Sequence, residues 1–259
     1  QKLQHVLRQY SIEVTTPQAL AEILEMSPRS MNRLLAKLDD CGYLKVVGKE
    51  IDRVSAVVNG AGAAGTACTR LLMALGLKNV VVCDKQGALC PGEKWMTPAQ
   101  AELAEATNPE RKRGTLAEVI KDADVFMGFS APGCVTKDMV RSMAGDAIVF
   151  ACANPTPEIF PEEAKAAGAR VVGSGRSDCV NQINNVLCFP GIFRGALEVR
   201  AREINEEMKL AAARALAGII PEGELSEENI IPSAFNKEVV PAIARAVAEA
   251  ARETGVTRA

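Results

Sequence analysis

The chain has 259 residues, 48% of them apolar and 24% charged, and its 30 basic and 32 acidic side chains leave a formal charge of −2. That composition excludes intrinsic disorder, and at this length a core can be buried without disulfides or metals. No apolar run reaches the ~18 residues of a membrane span and Gln1-Lys2-Leu3-Gln4-His5 lacks a signal-peptide core, so a cytosolic protein without a membrane partner is expected. The only histidine is His5 and the only tyrosines are Tyr10 and Tyr43. A Ser-His-Asp hydrolase or a histidine metal site would rest on His5, at an end that frays in most domains, and both are set aside.

Residues 1–43 read as a small helical segment. Thr16 is an N-cap with Pro17 at the first helical position, and Ser27-Pro28 repeats that device eleven residues later. The second helix sets Met31, Leu34, Leu35 and Leu38 on one face and Arg29, Arg33 and Lys37 on another, before Gly42. Two capped helices joined by a tight turn have the form of a helix-turn-helix, with Tyr43 to Glu50 as the first strand of a wing. Residues 1–50 carry seven basic and six acidic groups, a net of +1. That is a weak footprint for neutralising phosphates, so DNA as a partner competes with plain helical packing or dimerisation, which the charge favours.

From residue 54 short β-branched runs alternate with amphipathic stretches, as in βαβ units. Val54 to Asn59 reads as a strand, Ala63 to Leu75 as a helix and Asn79 to Cys83 as the next strand. A polar, proline-containing stretch follows from Lys85 to Arg113. Thr115 and Glu118 then form a capping box that opens a helix over Leu116 to Lys121. Next come a strand over Val125 to Phe129, a helix capped by Thr136, a strand over Ala147 to Ala151, a helix from about Pro161 to Ala167 and a strand over Arg170 to Gly173. Beyond Gly191 the pattern turns helical, with Ala-rich segments at 195–218 and 237–254. Five strands separated by helices give an α/β fold, a Rossmann-type doubly wound parallel sheet followed by C-terminal helices. The eight cysteines include no C-x-x-C pair and several lie in apolar runs, as expected of reduced, buried small hydrophobes.

The first strand runs into Gly60-Ala61-Gly62-Ala63-Ala64-Gly65 and then into a helix. A lone G-x-G-x-x-G is weak, but between a strand and a helix it has a mechanism. Gly60 permits the tight turn, Gly62 lets backbone approach a pyrophosphate, and Gly65 allows close packing of helix on strand. The helix start offers free N–H groups and partial positive charge. Asp84, nineteen residues after Gly65, ends the second strand, where a carboxylate accepts both ribose hydroxyls. It favours NAD, because it repels a 2′-phosphate, although Lys85 softens that discrimination towards NADP. Ser130-Ala131-Pro132-Gly133 and Asn154-Pro155-Thr156-Pro157 follow later strands at their carboxyl ends. With Pro155 and Pro157 after it to fix the backbone, Asn154 is either a positioned amide for a nicotinamide or substrate oxygen or a plain turn former. Asn184 and Asn185, ahead of the strand-like run Val186-Leu187-Cys188-Phe189-Pro190-Gly191, offer similar amides.

Several runs taken together resemble the cofactor-binding half of bacterial malic enzymes. They are Val57-Val58-Asn59-Gly60-Ala61-Gly62-Ala63-Ala64-Gly65, Ser130-Ala131-Pro132-Gly133, Ala153-Asn154-Pro155-Thr156-Pro157-Glu158-Ile159, Gly175-Arg176-Ser177-Asp178, Asn181-Gln182-Ile183-Asn184-Asn185-Val186 and Phe189-Pro190-Gly191-Ile192-Phe193-Arg194-Gly195. The resemblance covers about residues 44 to 256 and divides the chain into a helical segment, 1–43, and an NAD(P)-binding domain, 44–259. It implies oxidative decarboxylation of malate to pyruvate and CO2 with reduction of NAD or NADP, aided by Mg or Mn, in a homo-oligomer. It also implies that the Gly60–Gly65 turn, Asp84, Ser130 and Ala131 contact the cofactor, and that Asn154, Asn184 and Asn185 lie by the nicotinamide and malate. The reaction needs a base for the C2 hydroxyl, a Lewis acid and an acid for the enol. The family draws these from a lysine, a carboxylate cluster and a tyrosine in a preceding domain, and residues 1–43 match none of them. Catalytic and metal-ligating residues are therefore unassigned. Cys179-Val180 departs from the aromatic and proline common in the family. The alternatives are an NAD(H)- or malate-responsive regulator bearing a helix-turn-helix, or a non-catalytic NAD-binding domain.

Overall fold

The computed structural model describes residues 42–258, with side chains from residue 44. The two capped helices expected before Gly42, and Cys41, lie outside the described residues. The described chain divides into a sheet unit, residues 42–184 and 220–232, and a helical unit, residues 185–219 and 233–258.

The sheet unit opens with a correction. The expected wing strand over Tyr43 to Glu50 is a helix, α1 (Gly42–Val47). Leu44 and Val47, three apart, are both buried, a helical spacing rather than the alternation of a strand. Gly48 takes a φ of 66° and ends the helix, with the Lys49 N–H donating to Leu44 O at 3.0 Å and the Gly48 N–H to Lys45 O at 3.1 Å. These are the paired bonds of a Schellman turn.

Six strands follow: β1 (Ser55–Asn59), β2 (Asn79–Asp84), β3 (Gly87–Ala88), β4 (Val125–Gly128), β5 (Ile148–Ala151) and β6 (Val171–Ser174). Their order is β3-β2-β1-β4-β5-β6. All neighbours are parallel except β2 and β3, which form a short antiparallel pair. The five expected strands are present. The two-residue β3 is an addition, too short to carry a hydrophobic period. Helices α2 (Ala63–Ala74), α3 (Pro98–Ala106), α4 (Leu116–Val119), α5 (Lys137–Arg141) and α6 (Pro161–Ala166) connect the strands. Of these, α3 lies in the polar stretch where no element was expected. Its start nevertheless has the full signature, with Thr97 and Gln100 as a capping box and Pro98 in the first turn.

Covered faces explain the unbroken apolar strands. Val57, Val81, Phe126, Val149 and Val172 pack with Ile120, Val140 and Ala164 from the layer of α4, α5 and α6. Their neighbours in sequence point the other way, where Cys68 of α2 meets Met127 at 3.9 Å. Helices on both faces make the sheet doubly wound.

One ion pair ties the entry of β1 to that of β4. Lys49 Nζ donates to Asp124 Oδ1 at 2.6 Å, while the Ser55 N–H and Oγ donate to Asp124 Oδ2 at 2.7 and 3.0 Å. Burial alone would raise the Asp124 carboxyl, but these donors outweigh it and hold the group below its ordinary value. A depressed folded-state pKa gives stability that is present above the unfolded value, roughly 3.9 for Asp, and lost as pH falls through the folded one. Asp124→Asn is therefore expected to lower Tm at pH 7 and to flatten its decline below about pH 4, as read by thermal unfolding between pH 3 and 7.

The helical unit contains α7 (Phe189–Glu198), α8 (Glu206–Ala217) and α9 (Val239–Glu253), preceded by a 3-10 turn at Asn185–Leu187. The strand-like run at Val186 to Gly191 is thus that turn and the start of a helix, because Pro190 pre-sets helical φ in the first turn of α7. The Ala-rich stretch at 195–218 is two helices, since Asn205 caps α8 by accepting from the Met208 N–H at 3.0 Å. Gly191 and Gly195, one helical turn apart on α7, meet α9 directly, and a Cβ on Gly195 would stand 2.3 Å from Ala244 O. No helix among the described residues is long and apolar enough to cross a membrane.

Candidate cofactor site

The turn between β1 and α2 is shaped by what its glycines exclude. Gly60 has a φ of 118°, and a Cβ there would lie 2.5 Å from Phe129 O, at the end of β4. A Cβ on Gly65 would fall 1.9 Å from Gly60 O, so the first turn of α2 rests directly on the loop. Gly62 is different, because nothing lies within 4 Å of the place its Cβ would take. It is exposed, and as the N-cap of α2 it brings no side-chain acceptor. The first helical bond runs from the Thr66 N–H to Gly62 O at 3.0 Å, so helix geometry leaves the N–H groups of Ala63, Ala64 and Gly65 over for an anion. An open backbone above spare N–H groups fits a dinucleotide pyrophosphate.

Asp84 stands half-buried at the end of β2, the strand next to β1. Its Oδ1 accepts from the Lys85 N–H at 2.7 Å and its Oδ2 from Gln100 Nε2. Gln100 Oε1 meanwhile accepts from the Thr97 N–H at 2.9 Å, so the cap of α3 also fixes the Asp84 carboxylate. Each carboxylate oxygen keeps a further lone pair for a ribose hydroxyl. Beside it, burial first and the Asp84 charge second push the Cys83 thiol up to about 12, which leaves it protonated and unreactive.

The loops after β4 and β5 are joined through a carboxylate. Glu158 is fully buried; its Oε1 accepts from the Ser130 N–H at 2.9 Å and its Oε2 from the Ala153 N–H at 2.9 Å. Backbone bonds run the same way, from the Gly133 N–H to Pro157 O at 3.0 Å and from the Val135 N–H to Glu158 O at 3.1 Å. From β1, Asn59 Nδ2 donates to Ser130 Oγ at 2.8 Å. Ser130 and Ala131 are exposed on the first loop, and Asn154, whose bond to Pro155 is cis, on the second.

The carboxyl edge of the sheet thus brings together the Gly60–Gly65 turn, Asp84, Ser130, Ala131 and Asn154. Asn184 is half-buried and ends the segment after β6. Asn185 belongs to the helical unit, and its Oδ1 is buried without a hydrogen-bond partner. Three site-shaping residues carry no role in the sequence reading: Asn59, Gln100 and Glu158. Gln100 was detectable as the fourth residue of a Thr-Pro-x-Gln cap, and Glu158 as a carboxylate beside the apolar Ile159 and Phe160. No group of three His, Cys, Asp or Glu among the described residues is placed to hold a metal ion. The divalent metal implied by the resemblance does not fit these residues, and no step is derived through it. All cysteines among the described residues are free thiols.

Comparison with known proteins identifies the family of this fold. The family model described as malic enzyme, NAD binding domain, matches residues 35–252. A bifunctional malic/malolactic enzyme of Bacillus subtilis is 56% identical over 216 residues, covering 83% of this chain and 53% of that protein. An NAD-dependent malic enzyme of Geobacillus stearothermophilus is 54% identical over 215 residues, covering 83% of this chain and 45% of that protein. The solved malic enzyme of Pyrococcus horikoshii superposes with a TM-score of 0.80 at 45% identity, over 92% of this chain and 55% of that one. The chain spans about half the length of the curated relatives it matches. With the glycine turn, the doubly wound sheet and these matches in agreement, the chain belongs to the malic enzyme family through its NAD-binding domain.

Proposed function

We propose that the chain serves the NAD-linked oxidative decarboxylation of malate to pyruvate and CO2 and carries the cofactor-binding half of that reaction. The observation that carries this reading is the open backbone at Gly62, above the spare N–H groups of α2 and beside Asp84. NAD, when bound, supplies the hydride acceptor. The residues of this chain hold its pyrophosphate at Gly62 to Gly65 and its adenosine ribose at Asp84, and the amides of Asn154 and Asn184 face the nicotinamide and malate oxygens. The fixed carboxylate of Asp84 favours NAD over NADP, because a 2′-phosphate would bring a second negative charge against it. The name of the Geobacillus relative, an NAD-dependent malic enzyme, supports the same preference. The family match also favours an enzyme over a regulator, and a homo-oligomer working away from membranes completes the reading.

The test is a graft. Residues 44–258 replace the corresponding part of the Geobacillus enzyme, and absorbance at 340 nm is followed with malate, manganese and NAD. The expected result is NADH formation with one pyruvate per NADH. A graft that folds and binds NAD but makes no NADH would contradict the proposal.

A further inference from the structure

We infer that Glu158 is a positioning residue for the nicotinamide half of the cofactor. This rests on the proposed NAD site. Glu158 touches neither cofactor nor substrate in that reading, since it is fully buried. It acts through two backbone N–H groups, those of Ser130 and Ala153, both held at 2.9 Å. Ser130 opens the loop after β4 and Ala153 immediately precedes Asn154 after β5. A single carboxylate therefore sets the spacing between the Ser130–Ala131 loop, assigned to the cofactor, and the loop that presents Asn154, assigned to its nicotinamide.

Two further features show that the sequence is built around this carboxylate. Gly128, the last residue of β4, leaves the room that the carboxylate occupies, because a Cβ there would lie 2.3 Å from Glu158 Cδ. The backbone of Glu158 also holds the first loop, by accepting from the Val135 N–H at 3.1 Å. A buried carboxylate with two good N–H donors is charge-assisted on both oxygens. Removing the acceptor at Ala153 leaves a buried donor unpaired, and removing the one at Ser130 frees an exposed loop to turn its N–H to water. The adenosine end is held separately, by the Gly60–Gly65 turn and by Asp84 with Gln100, so the two ends of the cofactor should respond differently.

The experiment titrates NAD and ADP-ribose into the full 259-residue chain and into Glu158→Gln, whose amide offers one acceptor where the carboxylate offers two. ADP-ribose reaches the glycine turn and Asp84 but lacks the nicotinamide ring. For the unsubstituted chain both ligands are expected to bind, and if neither does, it is the NAD-site reading that fails. For Glu158→Gln the NAD Kd is expected to rise roughly tenfold, the equivalent of one lost charged hydrogen bond, with ADP-ribose affinity unchanged. Equal weakening of both ligands, or no weakening of either, would overturn the inference. If Glu158→Gln no longer binds ADP-ribose because it does not fold, Glu158→Asp is read in the same way. Failure of both to fold would make Glu158 a holder of the fold, and the positioning role would be lost.

Discussion

Gly65→Ala is expected to lose about 3 kcal/mol of stability or more, at the upper end of what overpacking costs, and NAD binding with it. The added Cβ would meet Gly60 O at 1.9 Å. That contact is with backbone, in a loop whose Gly60 already needs a φ of 118°, so no side chain can swing aside to relieve it. At this chain length the loss corresponds to a fall in Tm of about 6–12 °C. Gly62→Ala separates fold from function at the same turn. Its Cβ meets nothing within 4 Å and costs no more than about 1 kcal/mol through poorer capping of α2, yet it stands where the pyrophosphate approaches. Thermal unfolding and NAD titration of both variants should therefore give an unstable non-binder and a stable weak binder. A Gly62→Ala chain that binds NAD as well as the unsubstituted protein would remove the turn from the site.

Asp84→Ala is expected to weaken NAD by roughly 1.5–3 kcal/mol, about 10- to 150-fold, the range for hydrogen bonds to a charged acceptor. The fold should tolerate the change, because Asp84 is half-exposed at a strand end and Gln100 keeps its second bond to the Thr97 N–H. NADP should respond in the opposite direction, since removal of the carboxylate removes its repulsion of a 2′-phosphate and leaves Lys85 nearby. The ratio of NAD to NADP affinity is therefore the sharper reading, and equal losses for both cofactors would detach Asp84 from the ribose.

The parallel strands were legible because their covered faces require unbroken apolar runs such as Val80-Val81-Val82-Cys83, and their crossovers begin with caps such as Thr115 with Glu118 and Thr136. Where tertiary packing decides, local pattern misled. Leu44 to Val47 is β-rich in composition but folds as a helix, with Leu44 and Val47 both buried. Val186 to Gly191 has the apolar run of a strand, but Pro190 in it sits in the first turn of a helix. The candidate site divides in the same way. Residues that act through backbone geometry, Gly60, Gly62 and Gly65, are visible as spacing. Glu158 and Asn59 act on loops distant in sequence, and only the fold shows that one carboxylate meets both Ser130 and Ala153. Gln100 lies between these cases, since its cap is local but its grip on Asp84 spans sixteen residues.

A dinucleotide site at the carboxyl edge of the sheet can be read by calorimetric titration of the 259-residue chain with NAD and NADP. One saturable NAD site per chain is expected, tighter than NADP, with the preference for NAD lost in Asp84→Ala. A folded chain that shows no saturable heat with NAD, or one that prefers NADP while Asp84 is intact, would contradict it.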